Sequence, residues 1–286
     1  MSWLKKHLTT ILLAAVLALG LGLLLYPSVS NYWNSIHQSR AIMNYAESVA
    51  DMDDEEYEKL LDAAKAYNKR LSDQGIRWKL TDEEKAEYKA QLNIAGTGNM
   101  GYIDIPKIHV KLPIYHGTEE KNLETSIGHM EGTSLPVGGE GSHCVLSGHR
   151  GLPSAKLFSD LDQLEEGDIF TLTILNETFA YEVDQIRIVE PTDLSELRLV
   201  DGKDYCTLVT CTPYGINTHR LLVRGHRVEN PNGVANVIAE AIQIEPVYIA
   251  PFVAAPILLL LFMLIMTGPR RTAGRDGAKR RKEENK

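Results

Sequence analysis

Hydrophobic positions fall into three patterns along this chain. The first is a pair of long, charge-free apolar runs, Leu8–Tyr26 (LTTILLAAVLALGLGLLLY) and Val247–Thr267 (VYIAPFVAAPILLLLFMLIMT). At about 1.5 Å of rise per helical residue, each can cross a hydrocarbon layer about 30 Å thick. The second is a helical periodicity within residues 38–92. Tyr57, Leu60, Leu61, Ala64, Tyr67 and Leu71 form one apolar stripe behind the acidic start Asp53–Glu56, which suits a helix N-terminus. Thr81-Asp-Glu-Glu84 is a capping box that opens a second short helix running to about Leu92. Most faces of these helices are polar, so they are expected to lean on the domain that follows.

The third pattern starts near Gly96. MGYIDIP, VKLPIYH, SHCVLSG, DIFTLTIL, TFAYEVDQIRIVE, YCTLVTC and HRLLVRGHRV are short, rich in β-branched and aromatic residues, and separated by turn residues. Asn176-Glu177 suggests a hairpin between two of them. Seven or more strands at this spacing predict a mainly β barrel or sandwich of about 130 residues. The organisation expected is a short end at 1–7, a first span or signal-anchor at 8–26, a helical prefix at 28–98 and the β domain at 99–230. A linker at 231–246, a second span at 247–267 and a basic tail at 268–286 complete it. Neither an internal repeat nor a low-complexity tract is present.

Charge sharpens this picture. The chain of 286 residues has a formal charge of −8, but Lys5 and Lys6 precede the first run and eight Lys/Arg against three acids follow Thr267. The body between them carries 20 basic and 35 acidic residues, near −15. So acidic a body argues against nucleic-acid binding, which requires a basic footprint. The basic ends instead follow the positive-inside rule: both termini are expected in the cytoplasm, with residues 28–246 outside. Ser28-Val29-Ser30 leaves open a cleaved signal peptide as the alternative for the first run. The second run with its basic tail resembles a cell-wall sorting signal, but no Leu-Pro-x-Thr-Gly precedes it, so it reads as a permanent anchor.

Three cysteines occur. Cys206 and Cys211 are five apart, so on one strand they face opposite ways and do not pair. Cys-x4-Cys with scattered histidines matches no usual zinc spacing, and no metal site is expected. Cys144 and Cys206 read as small buried hydrophobes. Cys211 differs, because it ends the strand Thr207-Leu-Val-Thr-Cys211 just before the turn-forming Thr212-Pro-Tyr-Gly-Ile-Asn217. If the next strand pairs antiparallel with 211 opposite 220, then 209 lies opposite 222. Cys211 and Arg220 then project together, with Val209 and Leu222 beside them. Sixty-two residues upstream, Ser147-Gly-His149-Arg-Gly151 closes another strand on a glycine-flanked histidine. A thiol, an imidazole and a guanidinium at strand ends are the parts of an acyl-transfer site: nucleophile, general acid/base and oxyanion stabiliser. Thr210, on the other face of its strand, reads as structural. Arg150, Arg224 and Arg227 read as salt-bridging residues, and His219 and His226 flank the arginines without an assigned role.

Thr-Leu-Val-Thr-Cys211, Arg220 nine residues later and Ser-Gly-His149-Arg-Gly-Leu-Pro-Ser-Ala-Lys-Leu-Phe158 closely resemble the sortases, in particular the class C, pilus-assembling group. Gly128-His-Met-Glu-Gly-Thr-Ser-Leu-Pro-Val-Gly-Gly139 is similar to that group as well. The resemblance implies a closed sortase-type β-barrel and a membrane-bound cysteine transpeptidase on the outer face of a Gram-positive cell. It implies Cys211 as nucleophile, His149 as general acid/base and Arg220 as oxyanion or substrate stabiliser, with no organic cofactor and no metal. The substrate implied is an LPxTG-bearing pilin or surface protein cut between Thr and Gly, and the acceptor a lysine amine of the next pilin. A sortase that attaches proteins to cell-wall peptide is the nearest alternative, and a non-catalytic surface scaffold the alternative of a different class. The group usually carries a lid with an Asp-Pro-aromatic tripeptide, yet no proline lies between Pro27 and Pro106. Asp73 and Trp78, in Asp73-Gln-Gly-Ile-Arg-Trp78, are the lid candidates left, with Trp78 as the plug.

Overall fold

Residues 2–230 and residue 258 are described by the computed structural model. The chain divides into two units, Met1–Glu240 and Ala241–Lys286. The linker, second apolar run and basic tail expected at 231–286 lie outside the described residues, apart from that one position. Among the described residues, one helix is long and apolar enough to cross a membrane.

That helix, α1 (Ser2–Ala50), runs on through Pro27, where the sequence reading separates a span from a later helical prefix. Proline removes one N–H and crowds the preceding turn, yet the helix continues past it. α2 (Asp54–Gln74) starts at Asp53, whose side chain accepts from Glu56 N at 2.8 Å. α3 (Asp82–Ala90) carries the expected capping box in full: Glu84 N donates to Thr81 Oγ1 at 3.2 Å, and Thr81 N donates to Glu84 Oε2 at 2.8 Å.

Eight strands close the barrel: β1 (Asn99–Ile105), β2 (Val110–His116), β3 (Ile127–His129), β4 (Ser142–Ser147), β5 (Ile169–Ile174), β6 (Glu177–Val189), β7 (Asp204–Thr212) and β8 (His219–Val228). Their order around the barrel is β1-β2-β3-β4-β7-β8-β6-β5. The neighbours β2–β3 and β4–β7 are parallel and the rest antiparallel. Seven of these strands are legible in the sequence. The eighth, β3, spans three residues around Gly128 and is too short to show an alternation. The β5–β6 hairpin turns at Leu175-Asn176, one residue earlier than expected, because Ile174 and Glu177 still pair and Leu175 takes a left-handed φ of 53°.

Ile103, Ile105, Leu172, Ile174, Leu208 and Val223 fill the interior beside Phe170 and Tyr181, whose rings stack at 5.6 Å. Gly225 is required there, since a Cβ would lie 2.8 Å from the Phe170 ring. The helices do lean on this barrel, and each is fastened by a buried polar side chain. Tyr45 of α1 donates its hydroxyl to Met100 O at 2.9 Å and accepts from Leu175 N at 2.7 Å. Asn68 of α2 donates to Leu135 O (3.0 Å) and Gly138 O (3.1 Å) and accepts from Leu135 N (2.7 Å). Tyr88 of α3 meets His129: the ring Nε2 donates to Ser134 O at 2.8 Å, which leaves Nδ1 to accept from the tyrosine hydroxyl at 2.9 Å. Buried polar groups satisfied this completely specify one docking of prefix on barrel.

Candidate active site

β7 and β8 pair in the register the sequence predicts. Cys211 lies opposite Arg220, Val209 opposite Leu222 and Thr212 opposite His219. Because side chains alternate along a strand, Cys211, Val209, Arg220 and Leu222 share one face. That face is the outer one. Val209 and Leu222 pack there with Val145 and Leu197, edged by Met130, Val189 and Leu194, in an apolar cluster separate from the barrel interior. The thiol and the guanidinium therefore stand at the end of an apolar floor.

His149 reaches the same end by way of β4. β4 runs parallel to β7 with Ser147 opposite Val209, so His149 and Cys211 each follow two residues beyond a paired position. Two bonds extend the pairing past the last strand residues. Gly148 N donates to Val209 O at 3.1 Å, and Thr210 Oγ1 donates to Gly148 O at 2.7 Å. Gly148 has no room for a side chain, since a Cβ would lie 2.7 Å from Phe158 and 2.9 Å from Ile127. Thr210 thus has the structural place expected of it, with a definite job: it holds the residue before His149 against the residue before Cys211.

The ring Nε2 of His149 lies 3.3 Å from Glu120 Oε1, and the imidazole is 28% exposed against 72% for the carboxylate. Glu120 opens α4 (Glu120–Leu123), a single turn anchored by buried Leu123. No sequence spacing couples positions 120 and 149, so the sequence reading misses this pair. Arg220 Nη1 donates to the carbonyls of Asn217 (3.3 Å) and His219 (3.1 Å), and among the described residues its guanidinium forms no ion pair. Its charge is uncommitted in this state. Glu190 lies 3.3 Å from His219 Nε2, beside Arg220.

Arg150 and Arg224 form the ion pairs expected of them, whereas Arg227, expected to form one too, makes none among the described residues and sits on aromatic rings instead. Arg150 pairs with Asp162 and bonds Thr212 Oγ1 at 3.4 Å. Arg224 grips Asp184 through Nε at 2.9 Å and Nη2 at 3.1 Å. Arg227 lies over the Phe179 ring at 4.5 Å. All three cysteines are free. Cys144 and Cys206 are buried neighbours on β4 and β7, and burial together with the adjoining Cys144 sulfur pushes the Cys206 thiol well above its usual value. Cys211 is the partly exposed thiol of the three.

Of the two lid candidates, Asp73 is not brought to this site. Asp73 borders a cleft with Gly138–Ser142, Asp201 and Gly202, at the starts of β4 and β7, the opposite end from Cys211. Trp78 follows Arg77, whose carbonyl abuts Gly132 in the β3–β4 connection. Among the described residues no hydrogen bond, ion pair or ring contact links Trp78 to Cys211, His149 or Arg220. The docking of α2 through Asn68 explains the placement, since it fixes that helix beside the far end of β4. Among the described residues no three His, Cys, Asp or Glu converge on a possible metal position.

Comparison with known proteins points one way. A family model described as the sortase domain matches residues 103–228. Sortase D of Bacillus subtilis is 34% identical over 149 residues, covering 51% of this chain and 70% of that protein. Among solved structures, sortase C1 from Streptococcus agalactiae is 62% identical with a TM-score of 0.66, covering 67% of this chain and 99% of that one. Clostridium perfringens sortase C with the C-terminal cell wall sorting motif is 46% identical with a TM-score of 0.59, over 67% of this chain and 99% of that one.

Proposed function

The chain belongs to the sortase family of cysteine transpeptidases, and from that premise we propose that it is a membrane-anchored class C enzyme that joins pilin subunits through isopeptide bonds. The observation that carries the reading is the convergence of Cys211, Arg220 and His149 at one end of the barrel through the β7–β8 register and the Gly148–Thr210 bond.

In this reading the Cys211 sulfur attacks the threonine carbonyl carbon of a Leu-Pro-x-Thr-Gly-like motif. The C–S bond forms, and Arg220 stabilises the negative charge gathering on the carbonyl oxygen. The Thr–Gly C–N bond then breaks as the His149 imidazolium protonates the departing amine. A lysine amine of the next pilin attacks the thioester while His149 takes its proton. An isopeptide C–N bond replaces the C–S bond and the thiolate returns. The apolar floor of Val145, Val209 and Leu222 suits the Leu-Pro portion of the motif. Likeness to the two sortase C structures, at 62% and 46% identity, favours pilus assembly over cell-wall attachment, and the Clostridium protein's pairing with a sorting motif supports the substrate class.

The test is to incubate the full chain in detergent with a Leu-Pro-x-Thr-Gly peptide and record intact masses. A covalent Leu-Pro-x-Thr adduct is expected, absent in Cys211→Ala and released by a pilin lysine. Release by a cell-wall cross-bridge amine alone would favour the wall-attaching alternative. A wild-type chain that never acquires the adduct would favour the non-catalytic scaffold.

A further inference from the structure

α1 has two faces beyond the first apolar run. One is fastened to the barrel. Asn31 Oδ1 accepts from Lys156 N at 2.7 Å, Asn34 Nδ2 donates to Ser154 O at 2.8 Å, Gln38 Nε2 donates to Thr125 O at 2.7 Å, and Tyr45 is buried further along. The spacing 31, 34, 38, 45 is that of a single helical face. The residues at 26, 29, 33, 36 and 43 follow the same spacing about half a turn away: Tyr26, Val29, Trp33, Ile36 and Met43. All are exposed large apolar side chains, from 37% at Ile36 to 63% at Trp33.

Charge is distributed to match. No Lys, Arg, Asp or Glu occurs between Lys6 and Arg40, and the first acid after that is Glu47. A bilayer's hydrocarbon core takes about 20 helical residues, so a charge-free stretch of this length continues past what crossing requires. In a body near −15, the first twenty residues beyond Tyr26 are free of acids and carry one arginine. Were α1 to stand upright, Trp33 would lie about 10 Å and Ile36 about 15 Å beyond Tyr26, outside a headgroup layer about 5–7 Å deep. Pro27 marks the place where such a helix can bend.

We propose that α1 beyond Pro27 lies along the outer membrane–water interface, with Val29, Trp33 and Ile36 seated among the lipid headgroups and upper acyl chains and the barrel carried on its opposite face. The proposal rests on the anchoring reading above, because the occupant is the bilayer that residues 8–26 cross. Apolar and aromatic residues on one helical face, free of acids, are what an interfacial helix presents to an anionic lipid surface. The arrangement has a consequence for the active site. The segment that follows His149 is bonded to α1 at Ser154 and Lys156, so in this arrangement that segment is held at a set height over the lipid.

The experiment uses the full chain reconstituted in phosphatidylcholine–phosphatidylglycerol vesicles. Trp3→Phe with Trp78→Phe leaves Trp33 as the sole tryptophan. Lipid brominated at the headgroup end of its acyl chains should cut Trp33 fluorescence by about two-fold or more, and lipid brominated near the chain ends should quench it less. A control with all three tryptophans replaced and Leu17→Trp added reports on the span. Quenching in the control without quenching of Trp33 would overturn the interfacial placement while leaving the anchor intact. Shielding of Trp33 from both lipid and aqueous quenchers would put a second copy of the chain on that face and overturn it too. Failure to quench either tryptophan would remove the anchoring reading itself.

Discussion

Thr210 donates its hydroxyl to the Gly148 carbonyl at 2.7 Å, and each of the two residues immediately precedes a proposed member of the catalytic set. The bond ties Cys211 to His149 at one remove, across 62 residues of sequence. Thr210→Val keeps the shape but leaves the Gly148 carbonyl buried without that donor, which costs about 1–3 kcal/mol. Thermal unfolding should show that loss. Transpeptidation should fall by about ten-fold or more beyond it, because a small displacement of the imidazole is costly to proton transfer. Thr210→Ser should restore most of both. If the serine variant were as impaired as the valine variant, the hydroxyl would not be what positions the histidine.

Among the described residues Arg220 bonds only backbone carbonyls, so its guanidinium is available to a substrate oxygen. Lysine at this position keeps the charge but loses the planar fork and its paired donors. Arg220→Lys should therefore lower kcat by about 10–100-fold, less than the about 100–1000-fold of a fully lost oxyanion donor because the charge remains, with a smaller change in KM. Equal activity of the lysine and arginine enzymes would reduce its role to that of a point charge.

The site was legible in the sequence where local rules govern it and hidden where they do not. The Cys211–Arg220 register follows from counting across one turn, because antiparallel pairing and side-chain alternation leave little freedom over nine residues. Strands β1, β2 and β4 to β8 announce themselves by composition, and the capping box at Thr81 by its spacing. Glu120 was invisible: it reaches His149 from a one-turn helix between β2 and β3, a contact made by barrel closure. Asp73 misled for a related reason. It occupies the right stretch of chain for a lid, but where that stretch goes is decided by Asn68 bonding Leu135 and Gly138, a long-range choice no local pattern encodes. α1 continues through Pro27 although a proline at the end of an apolar run reads as a helix boundary, because proline costs a helix one hydrogen bond without forbidding its continuation.

Glu120 Oε1 at 3.3 Å from His149 Nε2 makes a half-exposed carboxylate–imidazole contact. Interactions of this kind in water are weak, so Glu120→Gln should reduce kcat/KM by about five-fold and Glu120→Asp by less. Gln still offers an oxygen but not the charge, so the comparison isolates the electrostatic part. A loss above about a hundred-fold would instead place Glu120 in the chemistry itself, and an unchanged rate would make the contact incidental.

His143 makes the fold sensitive to acid. Burial, reinforced by the nearby Arg224 and opposed by Asp184, lowers its pKa from 6.5 to about 4, and the neutral ring is held by Arg198 O at 2.8 Å and Thr207 Oγ1 at 2.7 Å. Nδ1 donates to the carbonyl, so Nε2 accepts from the threonine, and a proton on Nε2 would break that bond. Because the folded value lies below the unfolded one, the unfolded chain binds the proton first as pH falls. Stability is complete above about pH 6.5 and is eroded down to about pH 4, by on the order of 3 kcal/mol from this group. Buried His116, also lowered by burial, adds in the same direction. Urea unfolding at about pH 7 and about pH 4.5 should show the drop in the native chain and a smaller drop in His143→Gln, whatever the variant's absolute stability. Equal drops in the two proteins would mean that the acid sensitivity arises elsewhere.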